Sequence, residues 1–316
     1  MPGRTALGED KAVPKPIEVS RGIYLIDSLF AGLPRQCGAF LVCGDVTVLF
    51  DTGPSGTAGN ILQGLESLGA RAARIDYILL THFHLDHAGA ASLFLERWPE
   101  ARVLVDERSA FFMSNPEKFL KSAEGSLGAI APFYGTMHAL PEEKIIPIAD
   151  GHRLDLGGGR SLEAIHTPGH SGGHFAFFDR ETRGIFCGDS LGHYMEEYEY
   201  VFPATPAPQF SLEKSLASAS RLAELEPHIL FFPHFGASRR PGLIIEQFAR
   251  QVRKSIEFAS GLEGAKRNPD ELAEWLYRNL PAVADEEEGL LRGILRVNAA
   301  GVLQYLDRQG EAPQSR

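Results

Sequence analysis

Cysteine is scarce in this chain, with Cys37, Cys43 and Cys187 the three among 316 residues. An odd number without paired spacing excludes a disulfide-stapled scaffold, and each thiol lies in or beside an apolar run, where a reduced sulfur is expected. No stretch is apolar for long enough to span a bilayer, and the opening segment MPGRTALGEDKAVPKP lacks the apolar core of a secretory signal. The expected location is cytoplasmic, with no membrane partner. Basic charge is also short. Lys and Arg number 31 against 41 Asp and Glu, a formal net charge of -10, and no basic stripe is present to neutralise phosphates, so nucleic acid is not an expected partner.

Apolar residues are plentiful, 44% of the chain, enough for one large domain or one domain with an appendage. Residues 1–16 are rich in Pro, Gly and charge without periodicity and predict a flexible arm. From 17 to 240 short β-rich segments alternate with helical ones: strands at 22–27, 38–43, 46–50, 77–81 and 102–106, then at 160–166, 174–179, 184–187 and 228–232, with helices near 57–69, from about 88 and near 211–225. The second half roughly echoes the first, which predicts two similar halves facing each other. Beyond Pro241 the β pattern stops, and three segments with apolar residues at helical spacing predict a helical extension over 241–316. Such an extension serves to close over a site, to pair two protomers as a homodimer, or both.

The chemistry concentrates in THFHLDHAGA, residues 81–90, which places His82, His84 and His87 around Asp86 directly after an apolar strand. Two histidines at i and i+2 in a loop fixed by a strand can point at one ion, while Asp86 and His87 face a neighbouring position. Imidazole and carboxylate together suit zinc or another first-row divalent metal. Later strands end in the same residue types: His170 in HTPGHSGGH, Asp189 in FCGDS and His234 in FPHFG. If those strands share one sandwich, their ends converge.

These motifs, in this order and preceded by VLFDTG (48–53), resemble the metallo-β-lactamase superfamily over roughly residues 20–240. The resemblance implies an α/β fold, a four-layer αβ/βα sandwich with a dinuclear metal centre at one edge. It assigns His82, His84 and His170 to one metal, Asp86, His87 and His234 to the second, and Asp189 to a bridge between them. Two divalent ions are implied, Zn2+ first, with Fe or Mn as alternatives. Asp51 matches the family's carboxylate that orients a ligand histidine; a turn-forming Asp is the competing reading. An acidic residue at 84 would have pointed to the di-iron flavoprotein branch, and His84 argues against it.

The implied activity is a hydrolase in which a bridging hydroxide, held by Asp86, cleaves an ester, lactone or thioester of a small, partly apolar substrate. Tyr194, five residues after Asp189, is a candidate catalytic donor to the oxyanion, although lactone-cleaving relatives place their tyrosine nearer the bridging aspartate. His193 reads as a surface or hydrogen-bonded imidazole, and His166 and His174 as structural partners of the loop around His170. The aromatic-rich stretch 110–140 is either a lid that walls an apolar pocket or the buried face of a helical insertion. The segment HYMEEYEYVF predicts an approach that is apolar and negative. Glyoxalase II and the persulfide dioxygenases are similar in the first two motifs but carry a glycine- and arginine-containing segment after the bridging aspartate, absent here, so a glutathione thioester is not favoured. Two other classes stay open: a mononuclear non-heme iron sulfur dioxygenase of the same fold, with iron on His82, His84 and His170, and a scaffold that keeps the site without turnover.

Overall fold

Alternation along the strands builds two sheets that share one apolar seam. In β3 (Gly38–Val42), Phe40 and Val42 point into the seam while Ala39 and Leu41 point to the outer helices; in β10 (Phe175–Asp179), Phe175 and Phe177 enter the seam while Ala176 and Phe178 face outward. Both faces of each sheet are therefore covered, which is why these strands read as nearly continuous apolar runs. Phe50 stacks on Phe186 across the seam with ring centroids 3.8 Å apart.

The computed structural model describes residues 13–311. Most of the expected amino-terminal arm, residues 1–12, lies outside the described residues. The first sheet orders β1 (Ile17–Ser20), β2 (Ile23–Asp27), β3, β4 (Val48–Phe50), β5 (Tyr77–Leu79), β6 (Arg102–Asp106) and β7 (Ile145–Ile148) consecutively, antiparallel up to β4 and parallel from β4 onward. The second orders β15 (Gly236–Ser238), β14 (Ile229–Phe232), β11 (Gly184–Phe186), β10, β9 (Ser161–His166) and β8 (Arg153–Asp155). A separate hairpin pairs β12 (His193–Met195) with β13 (Tyr200–Phe202). Helices α1 (Ala58–Ser67), α2 (Leu85–Ala88) and α3 (Ala91–Arg97) lie on the first-sheet side. Helix α7 (Leu212–Glu224) and the start of α8 (Pro241–Ser260) cover the second. The result is the four-layer αβ/βα sandwich.

Two additions complete the fold. Between β6 and β7 the chain forms α4 (Glu107–Ser114), α5 (Glu117–Leu127) and α6 (Ala131–Tyr134). After β15 the helices α8, α9 (Pro269–Arg278) and α10 (Asp285–Glu311) bury Val252, Leu272, Leu295 and Val302 in a cluster of their own that also takes Phe202 and Phe210. The cysteines are all free. Among the described residues no helix is long and apolar enough to cross a membrane.

Strand direction then fixes where loops meet. Strands β9, β11 and β14 run the same way, as do β4, β5 and β6 in the facing sheet, and residues 51, 81–87, 167–170, 189 and 234 all follow their carboxyl ends. Backbone bonds from Phe175 N–H to the Thr81 carbonyl (2.8 Å) and from Gly38 N–H to the Pro233 carbonyl (2.9 Å) join the sheets at that edge.

Candidate metal centre

Two trios of side chains converge at the edge, on either side of Asp189. In the first, His170 Nε2 lies 3.1 Å from His82 Nε2 and 2.9 Å from His84 Nδ1, and the latter two are 3.0 Å apart. In the second, His234 Nε2 lies 3.3 Å from His87 Nε2 and 3.4 Å from Asp86 Oδ2. Asp189 Oδ1 is 3.3 Å from His87 Nε2, and its Oδ2 is 3.5 Å from His170 Nε2, so one carboxylate faces both trios. All seven residues singled out for metal are brought together.

Hydrogen bonds behind the histidines decide which nitrogen each presents. His170 Nδ1–H donates to the Ala204 carbonyl (3.1 Å) and His234 Nδ1–H to the Gln36 carbonyl (2.7 Å); a carbonyl only accepts, so the Nε2 lone pairs of both rings point into the cluster. Asp51 does the same for His87, accepting from its Nδ1 at 2.9 Å, and it also accepts the Thr81 N–H at 2.8 Å. His82 Nδ1 is 3.1 Å from Thr81 Oγ1, whose hydroxyl donates to Asp51 at 3.0 Å. Asp51 holds a positive φ of 55°, a conformation that Asp tolerates better than most residues, and its carboxylate is locked by these bonds. It is an orienting carboxylate here, not only a turn residue.

The convergent nitrogens and oxygens fit a divalent cation. Imidazole lone pairs facing each other at about 3 Å repel unless a cation lies between them, and Asp189 Oδ1 is buried with no hydrogen-bond partner. Burial, reinforced by the neighbouring histidines, holds His82 well below its ordinary value and His84 down to about 3; these rings are neutral and ready to ligate. Burial also depresses His87 and His234, but Asp189 and other nearby carboxylates outweigh it and raise both. Asp86 and Asp189 are held low against burial by His87 and its neighbours. The second trio is thus a negative hole that attracts a cation, with protons as the competitor.

Gly188 shapes the loop that delivers Asp189. It has φ +49°, and a Cβ there would lie 2.6 Å from His174 Nε2 and 2.8 Å from Thr81 Cβ. His174 in turn accepts the Asp189 N–H at 3.0 Å and donates from Nδ1 toward Thr167 Oγ1 at 2.8 Å. His166 lies 3.0 Å from the Gly172 carbonyl. Both histidines play structural parts.

Tyr194 requires correction. Successive residues of β12 point to opposite faces, so Tyr194 is turned away and stacks on Phe232 at 4.9 Å, while His193 faces the cluster, with Nε2 3.7 Å from Asp189 Oδ2 and its ring stacked 4.2 Å from His234. Burial and His234 lower His193 to about 4, so it is neutral near pH 7. A second phenol, Tyr134 of α6, lines the same cavity as Asp86 and Asp189; burial and those two carboxylates push its hydroxyl well up, keeping it protonated.

That cavity, of about 270 Å³, opens from the cluster between the 107–134 insertion and α10. Both readings of the insertion hold in part: Phe112, Phe119 and Tyr134 line the cavity, Met113 and Met137 are core, and Phe111 and Phe133 are 62% and 42% exposed. The expected negative approach is corrected too. Glu196 and Glu197 line a neighbouring cavity behind His193, where both pair with Arg35, at 3.3 and 2.5 Å.

Comparison with known proteins agrees with this geometry. Residues 32–234 match the sequence profile described as the metallo-beta-lactamase superfamily. A metallo-beta-lactamase fold-containing protein of Sulfurisphaera tokodaii is 30% identical over 239 residues, 74% of this chain and 85% of that protein. A hydroxyacylglutathione hydrolase of Aeromonas hydrophila is 31% identical over 173 residues, 53% of this chain and 50% of that enzyme. The crystal structure of an archaeal metallo-beta-lactamase superfamily protein from Sulfolobus tokodaii superposes with a TM-score of 0.70 at 26% identity, covering 89% of this chain and 98% of that one. A metallo-beta-lactamase family protein from Thermus thermophilus shares the fold at a TM-score of 0.69 and 24% identity, over 92% and 95% of the two chains.

Proposed function

The chain belongs to the metallo-beta-lactamase superfamily, and from that membership we propose that it is a metal-dependent hydrolase cleaving an ester, lactone or thioester of a small, partly apolar substrate. The observation that carries this reading is the pair of trios flanking the unpartnered Asp189 oxygen. On this reading His82, His84 and His170 would hold one ion and Asp86, His87 and His234 the other, with Asp189 facing both trios. Two divalent ions, zinc first with iron or manganese as alternatives, would supply a Lewis acid for the carbonyl oxygen and hydroxide at neutral pH.

The remaining work falls to this chain's own side chains. Asp51, Ala204 and Gln36 fix the ring orientations through the bonds described above. Asp86 lines the cavity, and its carboxylate oxygen not directed at His234 accepts a hydrogen bond from the attacking hydroxide and then carries that proton to the leaving group. Tyr134, a lining residue whose hydroxyl is held protonated, replaces Tyr194 as the proposed donor to the developing oxyanion. The apolar walls around it exclude water from the reacting carbonyl.

The test is metal analysis of protein purified without added metal, with assay of the same sample on lactones, aryl esters and acyl thioesters. Close to two zinc or manganese ions with turnover supports the hydrolase. Asp189→Ala should lose metal and most activity, Tyr134→Phe should lower kcat about 100-fold with metal retained, and His138→Ala, at an exposed position, should change neither. One iron per chain with oxygen uptake on a sulfur substrate would replace the proposal with the dioxygenase.

A further inference from the structure

The cavity beside the cluster has its polar groups mostly at two ends; on the wall between them the amide of Asn298 is engaged by the Thr205 N–H and the Pro203 carbonyl. At the inner end are His84, Asp86, His170 and Asp189; at the rim are Lys118, Ser122 and Gln209, all exposed. Between them one wall is aromatic, with Phe83 and Phe112 stacked at 4.6 Å and Phe119 edge-on to Phe83 at 4.8 Å. Leu127 and Ile130 continue it. The opposite wall comes from α10, where Ile294 and Val297 lie half-buried and line the same space.

We propose that this cavity receives an unbranched aliphatic acyl chain, its carbonyl at the His/Asp cluster, and that Ile294 and Val297 of α10 set the chain length accepted. The inference rests on the hydrolase reading and names the substrate class for it. A sugar or peptide in the middle of the cavity would leave its hydrogen-bonding groups unmatched, which is costly, whereas methylenes lose nothing there. A glutathione moiety, with several charges, would find Lys118 as the one Lys or Arg among the lining residues. The glutamates that could repel or attract a charged substrate face the other cavity. The wall is also firmly seated: Asn298, one residue beyond Val297, accepts the Thr205 N–H at 2.8 Å and donates to the Pro203 carbonyl at 3.1 Å. These bonds fix α10 against residues 203–205 beside the cavity.

The experiment compares metal-loaded wild type, Val297→Trp and Ile294→Ala on 4-nitrophenyl acetate, butyrate, octanoate and laurate, and measures calorimetric binding of butanamide and octanamide to each protein with and without metal. In the wild type, kcat/KM should rise about threefold to fourfold per methylene until the cavity is filled, with octanamide bound more tightly than butanamide whether or not metal is present. Val297→Trp should cut the octanoate-to-acetate ratio of kcat/KM at least tenfold and remove the preference for octanamide, and Ile294→Ala should move the optimum to longer chains. Equal turnover and equal binding at all lengths, or ratios that neither variant moves, overturns the inference while the hydrolase reading stands. Variant-sensitive binding of octanamide with no ester turnover keeps the chain site and removes the hydrolase.

Discussion

His174 illustrates how one buried side chain links the site to acidity. Its two ring nitrogens are committed to Thr167 and to the Asp189 backbone, and burial holds it well below its ordinary value of 6.5. Unfolded, the same imidazole takes up a proton below about 6.5 while the folded one does not, so its contribution to stability is present above that pH and declines as pH falls through it, by up to about 1.4 kcal/mol per pH unit. Replacing His174 with Gln should therefore cost more stability at pH 7.5 than at pH 5.5 in urea titrations; equal losses would show that the ring is not buried neutral. Most of the cluster was legible at this scale, because His82, His84, His87, His170, His234, Asp86 and Asp189 each lie in a short motif directly after a strand marked by apolar residues. Tyr194 was not. A three-residue strand, HYM, carries no periodicity from which to learn that His193 faces the metal centre and Tyr194 the core, and Tyr134 sits far from every motif.

Among the elements, α10 shows how position decides the sign of one substitution. Ala is a better helix former than Gly by about 1 kcal/mol. Gly289 has open space beside it, so Gly289→Ala should stabilise by up to about that amount. At Gly301 a Cβ would lie 1.9 Å from the Thr205 carbonyl oxygen, a backbone atom that cannot step aside; overpacking outweighs propensity, and Gly301→Ala should cost about 1–3 kcal/mol. Thermal melts of the two variants moving in the same direction would contradict this. Elements with strong patterns were readable: RVLVD is β6 residue for residue, and the helices near 57–69 and 211–225 became α1 and α7 within a few residues. Strands β7 and β8 were missed for local reasons, since IIPI contains a proline and RLD is short and polar. That α10 crosses back over the cavity to face α5 is a contact between distant segments and leaves no trace in either one.

For the whole molecule, the cluster, counted with His193, concentrates two carboxylates and six imidazoles at the join between the sheets. Bound cations favour the folded chain over the unfolded one, by about 4 kcal/mol at a thousandfold excess over the dissociation constant. Chelation should therefore lower the melting temperature by several degrees, and zinc should restore it; a melting temperature indifferent to both would mean that the trios hold no metal. The layered architecture was foreseeable because every central strand is apolar on both faces, and such strands must be covered twice. A different consequence concerns the order in which the chain is made. Synthesis proceeds from the amino terminus, and the last member of the cluster is His234, whereas the wall that meets the acyl chain waits for Ile294 and Val297. A nascent chain holds every ligand for metal before it holds any of the helix that chooses among substrates.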